Sequence, residues 1–179
     1  MFSSSKEVHA YYLERTKEVI GERDLTILKT DCFNEAGNNP IEGGIAGNIR
    51  GNVIMIEIST EIMKEAKGQI LLGDIRNLPF RDEWFDMILD FSTIDHIPVS
   101  DLGRTIAGYR RCIKRDGELL MFAWCGKDLP EPTDQHYFDI KILKEVIGKH
   151  FIIKKFETVL QDRKYDPPKE LIEIYAVAI

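Results

Sequence analysis

The sequence lacks several features that would identify its chemistry directly. It has three cysteines, Cys32, Cys112 and Cys125, an odd number without CxxC spacing, which favours reduced thiols and a cytoplasmic location over a disulfide framework. Its four scattered histidines form no HxxxH motif or Cys/His cluster, so no metal site is expected. No apolar run approaches membrane-spanning length, and the opening MFSSSKEVHAYYLERT lacks the apolar core of a secretory signal.

The sequence also has no excess of basic over acidic residues. The net charge of -6 argues against general nucleic-acid binding. Arg110, Arg111, Lys114 and Arg115 cluster in YRRCIKR, where a solvated helix end is the simpler interpretation and an RNA-binding patch the alternative. With 44% hydrophobic and 30% charged residues, the 179 residues are typical of one globular domain.

The order of elements predicts an α/β fold, because apolar strands alternate with segments of helical periodicity. Residues 1–24 would form an N-terminal helix or lid, and residues 25–179 the core. The glycine-rich stretch IEGGIAGNI should form at most a short or distorted helix, since each glycine costs about 1 kcal/mol relative to alanine. Strands are expected at 25–30, 53–59, 69–74, 86–92, 118–124 (after an RDG turn), 151–161 and 171–179, and helices at 6–22, 59–68, 101–114 and 138–150.

The end of the chain departs from this alternation. Only about ten residues, DRKYDPPKE, separate the last two strands, which is too few for a helical crossover. These two strands should therefore be antiparallel neighbours. The sequence thus predicts a doubly wound, mostly parallel sheet of seven strands with an antiparallel last strand.

Polar side chains close four of the predicted strands, and ligands bind at the carboxyl ends of strands in such sheets. A carboxylate at Glu57 can accept both hydroxyls of a ribose, although a surface or helix-capping glutamate is the simpler alternative. Asp74 could accept an adenine amino group, or merely form a turn. The complete set of strand-end candidates is Asp31, Asn34, Glu35, Glu57, Asp74, Asp90, Ser92, Asp95 and His96.

The loop after the first strand, in LTILKTDCFNEAGNNPIEGG, lacks the glycine-rich turn that binds phosphates. Asp31 and Glu35 would repel a pyrophosphate, so an NAD-dependent oxidoreductase is disfavoured. S-adenosylmethionine has no phosphate and carries a positive sulfonium and ammonium, which nearby carboxylates favour. An acidic loop therefore suits a cationic adenosine ligand, with a merely solvated acidic loop as the alternative.

Residues 25–125 resemble the class I S-adenosylmethionine-dependent methyltransferases, which have a Rossmann-like fold. The resemblance is carried by VIMIEISTEIMKEAKG, ILLGDIRNLPFRDEWFDMILDFSTIDHIP and YRRCIKRDGELLMFAW. The first motif departs from the family, because LKTDCFNEAG stands where Gly-x-Gly-x-Gly is usual. Lys29 occupies the usual acidic position and Asp31 that of the first glycine, so Asp31 or Glu35 is expected to replace the missing acid.

The resemblance implies a site for S-adenosyl-L-methionine as cofactor. Glu57 corresponds to the ribose-binding acid, with Ile58 directly after it; Asp74 and Ile75 correspond to the adenine-contacting pair, and Asp90 falls near the methionine moiety. Asp31, Asn34 and Glu35 would complete the methionine end.

Methyl transfer is an in-line displacement, and a hydroxyl acceptor would also need a general base, for which His96 or Asp95 is predicted. The signature of amino-directed methyltransferases, Asp/Asn-Pro-Pro-Tyr, is absent after the fourth strand, and the N-terminal helix with His9, Tyr11 and Tyr12 is the available lid. A small-molecule methyl acceptor is therefore expected. A non-catalytic binding or scaffold subunit is the alternative, and a homodimer stays open.

Overall fold

The computed structural model describes residues 5–36, 41–126, 137–162 and 169–179. Within them, seven strands form a single sheet in the order β3-β2-β1-β4-β5-β7-β6. The strands are β1 (Thr26–Lys29), β2 (Asn52–Glu57), β3 (Gln69–Leu72), β4 (Phe85–Phe91), β5 (Ile113–Cys125), β6 (Phe151–Asp162) and β7 (Lys169–Ala178), and the helices are α1 (Ser5–Ile20), α2 (Thr60–Glu65), α3 (Leu102–Cys112) and α4 (Ile140–Gly148).

The predicted fold class is confirmed. β1, β2, β3, β4 and β5 pair in parallel, whereas β7 lies between β5 and β6 and is antiparallel to both. The two strands on either side of the short connection, β6 and β7, are therefore antiparallel neighbours, as predicted. The polar connections expected at 126–135 and 162–170 lie mostly outside the described residues.

Two local expectations needed correction. β5 begins at Ile113 rather than at residue 118, and the RDG turn lies inside it as an irregularity, with Asp116 at φ 61° and a register shift opposite Phe85–Met87. The helix expected over 59–68 ends at Glu65, because Ala66 takes an extended conformation. Its beginning agrees with the prediction, since Ser59 Oγ accepts a hydrogen bond from the Ile62 N–H.

The stretch IEGGIAGNI forms a single 3-10 turn, Ala46–Asn48, in agreement with the expected short or distorted helix. The described residues between β1 and β2 therefore contain no regular helix. This leaves the segment after β1 as an irregular structure whose backbone amides need partners other than helical carbonyls.

Apolar side chains cover both faces of the sheet, as a doubly wound fold requires. On one face, α1 packs Tyr12, Leu13 and Ile20 against β1, β2, β4 and β5. The opposite face is covered by α3 and α4, whose Tyr109 and Leu143 belong to the second core cluster. Burying each of these large side chains stabilises the fold by about 1.5–3 kcal/mol.

Glu173, in the middle of β7, connects α1 to the antiparallel edge of the sheet. Its side chain is fully buried and accepts hydrogen bonds from Tyr11 Oη at 2.6 Å, Arg15 Nε at 2.6 Å and Lys155 Nζ at 3.0 Å. Burial opposes ionisation of this carboxyl, but the three hydrogen bonds outweigh it and hold the pKa of Glu173 below its ordinary value. One carboxylate thus fixes the position of the helix that covers the site.

We expect Glu173→Ala to lower the free energy of unfolding by about 3 kcal/mol, because it leaves Arg15 and Lys155 without their shared counter-charge. Urea denaturation measures this loss. Since the folded pKa is lowered, the carboxylate contributes above its ordinary pKa of about 4.3, and the contribution disappears as the pH falls through the folded value. Glu157→Ala, which removes an exposed carboxylate directly opposite Glu173, is the control and should change stability by less than about 0.5 kcal/mol.

Candidate functional site

A cleft of about 120 Å³ opens at the carboxyl ends of the central strands, where the strand-end rule places a ligand. It brings together six of the predicted residues: Asp31, Glu57, Ile58, Asp74, Ile75 and His96. Asn34, Glu35, Asp90 and Asp95 are buried and are not part of its lining. The sequence reasoning missed five lining residues: Thr30, Gly73, Arg76, Thr93 and Ile97.

The missed residues had a usable signal. Each is a direct neighbour of a residue that was singled out, so including both neighbours of every candidate would have found them. Arg76 differs from the other four residues. Its importance comes from the ion pair that its side chain forms with Asp74, which its position in the sequence does not indicate.

The centre of the loop after β1 is a buried lysine. Lys29 is fully buried, and its ammonium lies 2.9 Å from Asp31 Oδ1, 3.0 Å from the Asp31 carbonyl oxygen and 3.2 Å from Glu35 Oε2. The ammonium thus donates two hydrogen bonds to Asp31 and forms an ion pair with Glu35, whose Oε2 accepts no hydrogen bond among the described residues. Burial disfavours the charge, but Asp31 and Glu35 outweigh that effect and raise the pKa of Lys29. The loop acids predicted to face a cationic ligand therefore already share an internal cation.

Glu35 extends this cluster to the glycine-rich segment. Its Oε1 accepts hydrogen bonds from the N–H groups of Ile45 at 3.0 Å and Ala46 at 2.9 Å. Gly44 makes this approach possible: its φ is +66°, and a Cβ there would lie 2.6 Å from the Asn34 carbonyl oxygen. Backbone amides that a phosphate-binding loop would offer to its ligand are therefore bound here by an internal carboxylate.

Asp31 belongs both to this cluster and to the cleft. Its Oδ1 also accepts the Phe33 N–H at 2.9 Å, and its Oδ2 accepts the Thr93 hydroxyl at 3.1 Å. Thr30 donates to the same Thr93 oxygen at 3.0 Å. These bonds join the end of β1 to the loop after β4 and fix the Asp31 carboxylate at the wall of the cleft.

Glu57 is held at the end of β2 by two backbone amides. Its Oε2 accepts the Cys32 N–H at 3.2 Å and its Oε1 the Ser59 N–H at 2.9 Å. A carboxylate has about four lone-pair sites, so acceptor capacity remains for a ligand in the cleft. The next residue, Ile58, is 66% exposed and provides an apolar wall beside it. Burial raises the pKa of the Cys32 thiol to about 12, so this thiol stays protonated.

Asp74 is engaged by an arginine inside the cleft. Arg76 Nε lies 2.9 Å from each Asp74 oxygen, and Nη2 lies 2.5 Å from Oδ2. The same guanidinium reaches Asp101 at 3.4 Å. Hydrogen bonds from Arg76 hold the pKa of Asp74 below its ordinary value. The carboxylate predicted to meet an adenine amino group is thus occupied by Arg76 in this conformation.

The candidate residues at the end of β4 and in the loop after it differ in burial: the two aspartates are buried and the histidine is exposed. Asp90 is fully buried and accepts the Tyr109 hydroxyl at 2.7 Å and the Thr93 N–H at 2.9 Å, and burial raises its pKa to about 6. Both oxygens of Asp95, also fully buried, accept the Trp124 N–H at 3.1 and 3.2 Å. Burial raises the pKa of Asp95 well above its ordinary value. His96, by contrast, is exposed and lines the cleft.

No helix in the described part of the chain is long and apolar enough to cross a membrane. Within the same residues, no group of three or more His, Cys, Asp or Glu side chains could hold a metal ion.

Comparison with known proteins agrees with this architecture. Residues 42–121 match a family model described as a methyltransferase domain. An uncharacterized protein of Methanocaldococcus jannaschii is 26% identical over 120 residues, which cover 65% of this chain and 51% of that protein. The chain therefore spans about half the length of the curated relative it matches.

Two solved structures have the same fold at low sequence identity. The cyclase SpnF superposes with a TM-score of 0.75 at 14% identity, covering 97% of this chain and 81% of SpnF. The geranyl diphosphate C-methyltransferase of Streptomyces coelicolor, solved with S-adenosyl-L-homocysteine, gives a TM-score of 0.73 at 9% identity, covering 95% and 79%. The match to a methyltransferase domain and the shared fold agree with the resemblance that the sequence motifs indicated.

Replacing the buried lysine tests whether the ion cluster holds the site together. Lys29→Met should lower the free energy of unfolding by about 3–5 kcal/mol, because it leaves two buried carboxylates without a counter-charge. Adding Glu35→Gln should recover part of the loss, since it removes one of the two uncompensated charges. Thermal and urea unfolding measure both effects, with the exposed Lys64→Met as the matched control. A Lys29→Met protein as stable as the wild type would contradict this role.

Proposed function

We propose that this protein, which has the class I methyltransferase fold, binds S-adenosyl-L-methionine in the cleft and transfers its methyl group to a small-molecule acceptor. The observation that carries the proposal is Glu57: a carboxylate fixed by two backbone amides at the end of β2, lining the cleft inside the segment that matches the methyltransferase domain. A ribose with two free hydroxyls is the ligand group that such an acceptor suits best.

The other candidates take roles that follow from their placement. Ile58 and Ile75 provide apolar walls for the adenine, and Asp74 accepts its amino group once Arg76 has moved away. Asp31 faces the sulfonium and ammonium groups of the cofactor. Asn34, Glu35 and Asp90 are buried and do not line the cleft, so their proposed role is to support the residues that do.

Charge supports a cationic ligand over a dinucleotide. Lys29 neutralises one of its two carboxylate partners, so the cluster of Lys29, Asp31 and Glu35 keeps one negative charge. Glu57 adds a second negative charge at the cleft wall. A pyrophosphate would be repelled there, and the amides of Ile45 and Ala46 that might bind it are occupied by Glu35.

The chemistry needs little more than alignment. The acceptor atom attacks the methyl carbon in line, the carbon–sulfur bond breaks, and its electron pair stays on sulfur, which leaves neutral S-adenosylhomocysteine. His96 and Asp95 were predicted to serve as the base. Of the two, His96 lines the cleft, whereas the burial and Trp124 contact of Asp95 suit a residue that fixes the loop.

A small acceptor is proposed because the described residues form one sheet with its helices and contain no second substrate-binding unit. A cytoplasmic location is proposed because Cys32, Cys112 and Cys125 are all free and buried, which suits a reducing compartment. A homodimer is an open part of the proposal, and light scattering of the purified protein decides it.

A second candidate is a protein with this fold that does not transfer methyl groups. Two observations favour considering it: the fold is shared with a cyclase, and the glycine turn is replaced by an ion cluster. Isothermal titration with S-adenosylmethionine separates the candidates. No binding at millimolar concentration to the folded protein overturns the methyltransferase proposal, and tight binding without methyl transfer to any small-molecule acceptor supports the second candidate.

Glu57→Gln should weaken binding of S-adenosylhomocysteine by about 10-fold to 100-fold, because an amide can no longer accept both ribose hydroxyls. The substitution keeps the side-chain shape but turns an NH2 group toward the Cys32 or Ser59 N–H, so thermal unfolding is measured beside isothermal titration to separate binding from folding. Glu61→Gln, which changes an exposed carboxylate in α2, is the matched control and should leave the affinity unchanged. An unaltered affinity in Glu57→Gln would remove Glu57 from the ribose site.

Arg76→Ala should strengthen binding of the same ligand by about 3-fold to 10-fold, since adenine no longer has to displace a guanidinium from Asp74. The cleft volume of about 120 Å³ is below the roughly 300–1,000 Å³ of typical ligand sites, which also indicates that a side chain must move. Arg104→Ala, which removes an exposed arginine paired with Asp101, serves as the control. Weaker binding to Arg76→Ala would mean that Arg76 contacts the ligand instead.

A further inference from the structure

Helix α1 covers the carboxyl end of β4, where the reacting end of the cofactor would lie. The Tyr12 ring stacks on Phe91 with centroids 5.0 Å apart, and its hydroxyl lies 3.5 Å from Ser92 Oγ. Ser92 directly follows β4 and has a φ of 64°, a left-handed conformation that is uncommon for a residue with a side chain. The first three turns of α1 therefore belong to the surroundings of the proposed site as well as to the core.

His9 lies one helical turn before Tyr12 and carries an unsatisfied buried nitrogen. Its ring centroid is 6.0 Å from that of Tyr12, and its Nδ1 is buried without a hydrogen-bond partner among the described residues. A buried polar atom left in this state costs about 1–3 kcal/mol. Such a cost is expected where the partner is a group that arrives with the ligand.

This imidazole lies near the cleft without lining it, because its contact partner Tyr12 packs against Phe91 and Ser92 at the end of β4. The charged groups that act on it are Asp31, which lines the cleft, and Lys29 directly behind it. Burial lowers the pKa of His9; Asp31 raises it by less, and Lys29 lowers it further. The lowered pKa favours the neutral imidazole at pH 7, and we assign its proton to Nε2, which leaves Nδ1 as the proton acceptor.

We propose that His9 Nδ1 faces the acceptor atom and takes its proton during methyl transfer. This inference rests on the proposed methyltransferase function and names the acceptor class, a small molecule with a hydroxyl or amine group. As the acceptor oxygen or nitrogen bonds to the methyl carbon, the carbon–sulfur bond breaks toward sulfur. The acceptor proton moves to His9 Nδ1 and is released to solvent when the product leaves.

The two residues predicted as bases from the sequence occupy different places. His96 lines the cleft together with Asp31, Glu57 and Asp74, the residues assigned to the cofactor. Asp95 has both oxygens directed at the Trp124 N–H. His9 belongs instead to the covering helix α1.

The test uses two cofactor analogues that differ in charge at the reacting position. Sinefungin carries a positive amine where S-adenosylhomocysteine carries neutral sulfur, so a histidine facing that position should sense the difference. NMR titration of the full chain follows each imidazole, with His9→Gln, His96→Gln and His150→Gln used to assign the signals. His150, at the end of α4 away from the cleft, is the internal control.

We expect the pKa of His9 to be lower by about 1 in the sinefungin complex than in the S-adenosylhomocysteine complex. The His150 signal should be identical in both. Nitrogen-15 shifts should show an unprotonated Nδ1 at pH 7, and His9→Gln should bind S-adenosylhomocysteine within about 2-fold of the wild type, since His9 is not a cofactor contact.

Other results separate the two proposals. If neither analogue binds, the methyltransferase function itself fails, and the inference fails with it. If both bind but His9 has the same pKa in each complex, or carries its proton on Nδ1 at pH 7, the function stands and His9 is not the acceptor-side base.

Discussion

The site depends on the buried ammonium of Lys29. Through Asp31 it holds the end of β1 against the loop after β4, and through Glu35 it holds the irregular segment that precedes β2. A lysine is seldom fully buried, because removing its charge from water is costly unless acceptors surround it. Here Asp31 accepts two hydrogen bonds from it and Glu35 forms an ion pair with it, so an ion cluster stands where a glycine turn with bare amides was expected.

Carboxylates of the same kind serve opposite purposes along this edge of the sheet. Asp90 and Asp95 are fully buried. Their oxygens accept hydrogen bonds from backbone N–H groups and from the Tyr109 hydroxyl, so they fix the loop after β4. Asp31, Glu57 and Asp74 lie at the cleft and retain acceptor capacity or bind an exchangeable partner. The distinction follows from depth: internal carboxylates need every oxygen satisfied, whereas those at the wall can leave one lone pair for a ligand.

Much of the architecture could be predicted from the sequence, because apolar strands and short connections are local signals. The connection before β7 indicated an antiparallel pair, and the strand-end rule found six residues that the structure places around the cleft. Only part of the pairing of Lys29 could be predicted from the sequence. Lys29 and Asp31, two positions apart in an extended chain, share a side, but Glu35 joins them through a turn that no periodicity encodes. The depth of Asp95 was invisible for a similar reason, since it depends on Trp124, twenty-nine positions away.

The placement of β7 has a consequence for how the chain is made. β6 is synthesised before β7, yet it has no pairing with β5 and reaches the sheet only through β7. During translation, β6 therefore has no strand paired to either of its edges while β1 to β5 can already pair with one another. The last step of sheet formation is the insertion of a late strand between two earlier ones, a long-range event of the kind that slows folding and exposes strands to aggregation. Glu173, carried on that late strand, then fixes α1, so the covering helix acquires its final anchor only when the sheet is complete.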